Sequence, residues 1–488
     1  MIFLNSRTNL GEFGLRFASD ALKRIAMNDT SPPSSSEARH EPRLFECDEP
    51  VRRPAEPQAP DVARPRVQSP QRKQIEFQPF SLEDLLPLDH EARAVWDYVE
   101  RLDLSRLYSE IRAVEGVPGR DTIDPKILLA LWLYATLQGV GSARQLAKLC
   151  KEHVAYRWIC GGVSVNYHTL SDFRVGHPDL LDDMLTESVA TLVNEELVSL
   201  NRISQDGMRV RASAGADTFR RKGTLEEKLA EAREQVEQLK RELEENPGKM
   251  SARQCAARER ATREREERLR RALEERDKLA EQREARKKGD GAEARVSMTD
   301  PEARRMKMGD GGTRPAYNVQ FATANEGLVI TGVGVTNIGS DAGEMTPMNE
   351  QHVRRYGKPP NEGLVDGGFS TVEDIEKMER EYGTIVYAPI KEEEKKRAKG
   401  IDPFAACPRD SDIIARWRVR MGTAEAQAIY KERAATAELS NAHTRNRGLQ
   451  RFLVRGLEKV LSVALWHAVV HNFKRALTLR AALATGTQ

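Results

Sequence analysis

Between Leu225 and Leu243 the apolar residues form a seam: Leu225, Leu229, Ala232, Val236, Leu239 and Leu243 step by 4, 3, 4, 3 and 4, with charged or polar residues at almost every other position. An α-helix gathers such positions onto one stripe, and a stripe this narrow is stable only against a second helix. Asn246-Pro247-Gly248 ends the first helix, and Arg253 to Lys288 supplies a second, nearly all charged, with Leu269, Leu273 and Ala280 as its thinner stripe. The segment 218–295 is therefore expected to be an antiparallel helical hairpin. Its charge is that of a solvated face, with DNA contact or self-association as the sharper alternatives, and the seam closes equally well within one chain or between two.

The flanks of this insertion have a different period. Leu200 to Val210 is strand-like, and Tyr317 to Val335 alternates and breaks at Asn325-Glu326-Gly327, a hairpin signal. Leu364-Val365 and Thr384 to Ala388 are further short apolar runs, with helical patterns at Ser340 to Tyr356 and Val372 to Tyr382 between and before them. Strands first, then helices and strands in alternation, imply an α/β or α+β domain with a mixed sheet. The hairpin projects from that sheet.

Residues 77–198 have a helical pattern throughout. Asp124-Pro125 opens one helix containing Ile127, Leu128, Leu131 and Trp132, Ser142 opens a second, and a third follows Asn166-Tyr167-His168. This all-helical region has a helix-turn-helix flavour and is a candidate DNA binder, a purely structural bundle being the plainer alternative. From Asn28 to Gln74 the chain is rich in Pro, Ser, Arg and Glu, which cannot bury enough surface to offset ordering entropy, so 1–76 is expected to be a disordered extension with at most a short helix near Ala18 to Met27. The sheet domain takes 199–217 and 296–448, and 449–488 is an amphipathic helix packing on it. His467 and His471 share a face of that helix among Ala464, Leu465, Val469 and Val470, a setting for core packing rather than metal.

Net charge is only +2, so any DNA-binding face must come from local Arg and Lys clusters. Five scattered cysteines give neither a disulfide framework nor a C-x-x-C pair. No apolar run reaches the length of a membrane helix, so a soluble, cytoplasmic protein without a membrane partner is expected.

Three acids stand out by context. Asp206 closes a strand-like run before Gly207, and Asp366 closes another before Gly367-Gly368. Carboxylates at the ends of neighbouring strands converge above a sheet edge. Glu438 lies on a long helix starting near Thr423, where Glu438, Asn441 and Arg445 fall within an arc of about 60°, Tyr430 borders it, and Arg433 lies about 60° beyond Tyr430. A carboxylate, a phenol, an amide and two guanidinium groups on one face suit a metal and phosphate site rather than a core. Phosphodiester cleavage needs an activated water and a stabilised leaving oxygen, which two Mg²⁺ (or Mn²⁺) ions about 4 Å apart provide. Mg²⁺ keeps several waters, so a few carboxylates suffice. Taken singly, each acid also has a plainer reading, as turn chemistry before glycine or as a solvated helix residue.

Several segments carry a family likeness. They are Tyr156-Arg157-Trp158, Cys160-Gly161-Gly162, Asn166 to Arg174, Met306 to Gly312 with Arg314 to Gln320, Ser340-Asp341-Ala342-Gly343 and Val365-Asp366-Gly367-Gly368-Phe369. With them, residues from about Phe77 to Asn472 resemble bacterial insertion-sequence DDE transposases with a ribonuclease H-like catalytic domain and a helical N-terminal domain. Tyr430, Arg433 and Glu438 match the first three positions of the family's Tyr-Arg-Glu-Lys signature. Its Lys position falls near Arg445, a departure that keeps the charge but replaces an ammonium by a planar fork. The resemblance implies Asp206, Asp366 and Glu438 as metal ligands. It also implies Tyr430, Arg433 and Arg445 as DNA-phosphate contacts, beside Asn441 on the same face. The implied activity is metal-dependent cleavage of transposon ends and strand transfer into target DNA, in a homo-oligomer on double-stranded DNA at the bacterial nucleoid. The alternatives are a metal-dependent nuclease of the same fold and a DNA-binding derivative no longer catalytic.

Overall fold

Helix starts in the N-terminal half lie where the capping residues put them. The computed structural model describes residues 81–113, 116, 121–245 and 251–486. The stretch at 28–74, the helix expected at 18–27 and the Asn246-Pro247-Gly248 break fall outside these. Helices α1 (Glu91–Glu100), α2 (Ser105–Ser109), α3 (Pro125–Leu137), α4 (Ala143–Glu152), α5 (Val154–Cys160), α6 (Tyr167–Gly176) and α7 (Pro178–Asn194) precede the first strand. Asp124 accepts from the Lys126 N–H with Pro125 in the first turn, Ser142 from the Gln145 N–H, and Asn166 from the His168 and Thr169 N–H groups. Every side chain from Ile127 to Thr136 is buried, so α3 runs through the middle of this array.

The remaining elements are β1 (Arg202–Arg211), β2 (Phe219–Arg220), α8 (Lys222–Glu245), α9 (Ala252–Arg286), β3 (Val296–Ser297), β4 (Arg304–Lys307), β5 (Thr313–Ala324) and β6 (Ile330–Thr336). After these come α10 (Met345–Tyr356), β7 (Glu362–Leu364), α11 (Val372–Glu381), β8 (Ile385–Tyr387), α12 (Glu393–Ala398), α13 (Asp412–Met421), α14 (Ala424–Asn446) and α15 (Leu457–Thr485). β5 pairs antiparallel with β1 along one edge and with β4 and then β6 along the other. On the far side of β1 lies β7, parallel to it, and β8 pairs parallel with β7. Helices α10 and α11 make the crossovers into β7 and β8. This is the mixed α/β sheet with flanking helices that was expected, and it is consistent with a ribonuclease H-like α+β transposase fold.

The inserted hairpin closes its seam within the chain. Leu225, Leu229, Ala232 and Leu239 of α8 are buried with Leu269 and Ala272 of α9, whereas Val236 and Leu243 are only half-buried toward the tip. A two-residue ladder, β2 with β3, ties its base. The helices of 83–194 share one apolar cluster with the sheet and with α15, running from Val95 through Trp132 and Leu185 to Val319, Phe321 and Trp466. That contact explains α15. It is buried on nearly all sides from Val460 to Phe473, not amphipathic there, because it lies between α7 and β6. Asn472 accepts from the Ile330 N–H and donates to the Ile330 carbonyl, both at 2.7 Å, and so satisfies the outer edge of β6. No helix among the described residues is long and apolar enough to cross a membrane.

Candidate active site

Asp206 lies in the middle of β1, opposite Phe321 of β5, and the strand runs on to Arg211. The expectation that Asp206 closes its strand is corrected. Gly207 does not turn the chain either. A Cβ there would sit 2.1 Å from Asp341 Oδ1, so glycine is needed to admit that carboxylate. Side chains alternate along a strand, so Gly207 and Arg209 face away from the side that carries Asp206 and Met208. On that other face Asp341, in the β6–α10 connection, is buried and fully engaged. Its Oδ1 accepts from Asn318 Nδ2 and Gln320 Nε2, each at 2.7 Å, and its Oδ2 from Arg209 Nη2 at 3.0 Å.

Asp366 does follow its strand, two residues beyond β7, and its Oδ1 accepts from the Gly368 N–H at 2.7 Å. A Cβ on Gly368 would lie 2.9 Å from Asp366 Oδ1 and 3.5 Å from Asp341 Oδ2, so the turn after β7 and the Asp341 loop meet here. The two adjacent parallel strands thus bring separate acids toward one region of the sheet.

Helix α14 covers the Asp206 face. Thr423 caps it, and Ser440 Oγ shares a 2.7 Å hydrogen bond with Thr323 Oγ of β5, which fixes the helix on the sheet. Asn441 Nδ2 then donates to Asp206 Oδ2 at 2.8 Å, and Arg433 Nη1 stands 3.8 Å from Asp206 Oδ1. Arg445 lies two residues along β1, its Nε donating to Met208 Sδ at 3.0 Å. Tyr430 is half-buried against the apolar cluster that contains Trp417 and Phe369. Glu438 is exposed on the shoulder of the same face and makes no hydrogen bond or ion pair among the described residues.

The electrostatics single out Asp206. Its side chain is 19% exposed, and its carboxyl is pushed up to about 6. Burial is the largest cause, opposed by the Arg433 guanidinium and the Gly207 N–H, and reinforced by the negative charges of Asp366 and Asp341. Burial likewise raises the Tyr430 phenol. Asn441 Oδ1 and Arg433 Nη1 are buried without hydrogen-bond partners. Among the described residues no three His, Cys, Asp or Glu side chains are gathered closely enough to hold a metal ion. The donor chemistry still fits a hard divalent cation, since Mg²⁺ takes one or two carboxylates and completes its shell with water and substrate phosphate.

Asp341 is the residue that sequence reasoning missed. Ser340-Asp341-Ala342-Gly343 carries the family likeness, but the helical pattern from Ser340 puts Asp341 in a first turn, whereas α10 begins only at Met345.

Two family models match the chain: Transposase domain (DUF772) at residues 80–175, which spans α1 to nearly the end of α6, and Transposase DDE domain at residues 404–477, which includes α13, α14 and much of α15. The second match contains Tyr430, Arg433, Glu438, Asn441 and Arg445; Asp206 and Asp366 lie outside both. No curated protein and no solved structure matches the chain.

Proposed function

We propose that this chain, identified by its two family matches as an insertion-sequence DDE transposase, cuts DNA at the ends of its element and joins the freed 3′-hydroxyls to target DNA. The observation that carries the reading is the Asp206 carboxylate. It is largely withdrawn from solvent and gripped by Asn441, and desolvation first, then the like charges of Asp366 and Asp341, push its carboxyl up to about 6 despite Arg433. Perturbation by burial and by neighbouring like charges is characteristic of working acids, and an external cation relieves it.

Asp206 and Asp366 are the residues that would hold divalent ions, Mg²⁺ or Mn²⁺, with Glu438 as a third ligand, and such ions supply an activated water and a stabilised leaving oxygen when bound. The chain's own groups do the rest. Asn441 and the Gly207 N–H fix the Asp206 carboxylate through both oxygens, at 2.8 and 3.0 Å. Arg433, whose Nη1 has no hydrogen-bond partner, orients a non-bridging phosphate oxygen beside Asp206. Arg445 contacts the DNA backbone farther along the face. Tyr430 is a contact and not a nucleophile, because hydrolysis by an activated water followed by attack of the freed 3′-hydroxyl needs no covalent enzyme intermediate; burial raises its phenol. Double-stranded DNA is the partner, and pairing two element ends calls for at least two copies of the chain.

The test is a joining assay with a labelled duplex carrying an element end, a supercoiled target plasmid and Mg²⁺. The expected product is the labelled 3′-strand covalently joined to the plasmid. Cutting without joining identifies a nuclease of the same fold, and binding without cutting identifies an inactive derivative.

A further inference from the structure

A cavity of about 420 Å³ lies where the α3–α4 turn, the end of α6, the last residue of β1 and the α14–α15 turn meet. Arg174, Arg211, Arg447 and Arg451 line it, and among the described residues no aspartate or glutamate does. Arg174 is 7% exposed, with its guanidinium 4.7 Å over the Trp132 ring and its Nη1 donating to the Gly141 carbonyl. Its Nε has no hydrogen-bond partner, and neither has the buried Nη1 of Arg447. Arg211 and Arg451 are exposed at the mouth, held side by side by a parallel bridge between them. Glu91, whose field reaches Arg447, is already engaged by Lys474 and Gln138.

A buried guanidinium without a counter-charge loses hydration that an anion restores. It cannot escape by discharging, because arginine stays protonated at any ordinary pH. The cavity wall adds a further pull toward anions. Ser142 and Gln145 come from the first turn of α4, a ten-residue helix whose N-terminus carries partial positive charge. An adjoining hollow shares Gly141, Ser142 and Arg174 and adds Arg144, placed 5.2 Å over the Tyr167 ring.

We propose that this cavity is a second anchoring point for DNA, seating one backbone phosphate between Arg174 and Arg447 with Arg211 and Arg451 at its mouth. The proposal rests on the reading of the chain as a DNA transposase. The site is separate from the acids. A strand advances about 3.3 Å per residue, so Arg211 lies roughly 16 Å along β1 from Asp206. That is about five nucleotide steps at ~3.4 Å each. The anchor therefore fixes the register of the duplex while the acids meet the bond to be cut.

The test measures binding of a short labelled duplex over a range of salt concentrations by fluorescence anisotropy, for the parent, Arg447→Gln and Arg211→Gln. Each variant is expected to bind more weakly on any sequence, and its slope of log affinity against log salt should fall by about 1. Arg211 is exposed, so its variant keeps the test sound if Arg447→Gln fails to fold. Unchanged affinity and slope in a folded Arg211→Gln protein overturns the proposal. So does thermal stabilisation of the parent by inorganic phosphate that either variant abolishes while duplex binding stays the same, which would make this a site for free phosphate. A parent that binds no duplex removes the transposase reading itself, a different result from the loss of this site alone.

Discussion

Asp206 is held as an anion at the expense of the fold. Its folded-state value of about 6 lies above the ordinary 3.8, so the charged carboxylate weakens the metal-free protein fully above about pH 6 and not at all below about 3.8. Asp206→Asn is expected to stabilise the metal-free protein at neutral pH by about 1–3 kcal/mol, and the gain should vanish toward pH 4. Thermal unfolding of both proteins across that range checks the sign; a variant less stable at neutral pH contradicts it. In the proposed reading Asn441 acts through Asp206, to which it donates at 2.8 Å, and removing a group that orients a ligand typically costs 10–100-fold. Asn441→Ala should lose roughly that much cleavage while the duplex still binds. Gly207 answers to Asp341 behind the strand. Gly207→Ala puts a methyl where the Asp341 carboxylate sits, at 2.1 Å, and should cost about 1–3 kcal/mol. Urea unfolding of Gly207→Ala, Asp341→Ala and the double variant should show strong coupling, because the two sites share one space.

At the scale of elements, each part was legible to the extent that its determinants were local. The α8–α9 seam declares itself through Leu225, Leu229, Ala232 and Leu239, and the helix starts at Pro125, Ala143 and Tyr167 through their caps. The sequence also points to the acids at 206 and 366 and to a polar face on α14, and the structure sets Asp206 and that face against each other. What tertiary contact decides was not. The sequence places Asp206 at a strand end because glycine follows it, yet β1 continues, since the reason for the glycine is an aspartate more than a hundred residues away. Short β7 and β8 are fixed by pairing, and the apolar surround of α15 by what packs on it. Helix α14 illustrates the division: its polar face was evident, but only the sheet beneath decides that Asn441 and Arg433 point at Asp206 while Glu438 stays at the shoulder. The hairpin has its own small apolar clusters, so damage there should remain there. Leu225→Ala should destabilise the hairpin by about 2–5 kcal/mol. Amide exchange should quicken in α8 and α9 and stay unchanged in β1 and β5.

The molecule beyond residue 80 is held by a core that joins the helical array, the sheet and α15, and buried histidines are built into its packing. His352, His467 and His471 are each pushed down to about 3, by burial first and by nearby arginines second for His352 and His467; for His471, the hydrogen bond to Leu328 partly opposes this. Their folded-state values lie below the unfolded one, so the stability they contribute as neutral rings is complete above about pH 6.5 and is lost as pH falls toward 3. Urea unfolding should show a loss on the order of 1–2 kcal/mol per histidine by about pH 5, and a flat profile over that range would contradict this. The same core holds β1, β5 and α14 in register, and so holds the acid centre together. The most direct test of that centre is Mg²⁺-dependent cleavage of element-end DNA by the parent, Asp206→Asn and Asp366→Asn, with folding and duplex binding measured alongside. Both variants should bind DNA and lose cleavage by about 10²-fold or more. Cleavage at the parental rate by either folded variant would contradict the assignment of that carboxylate to the reacting site.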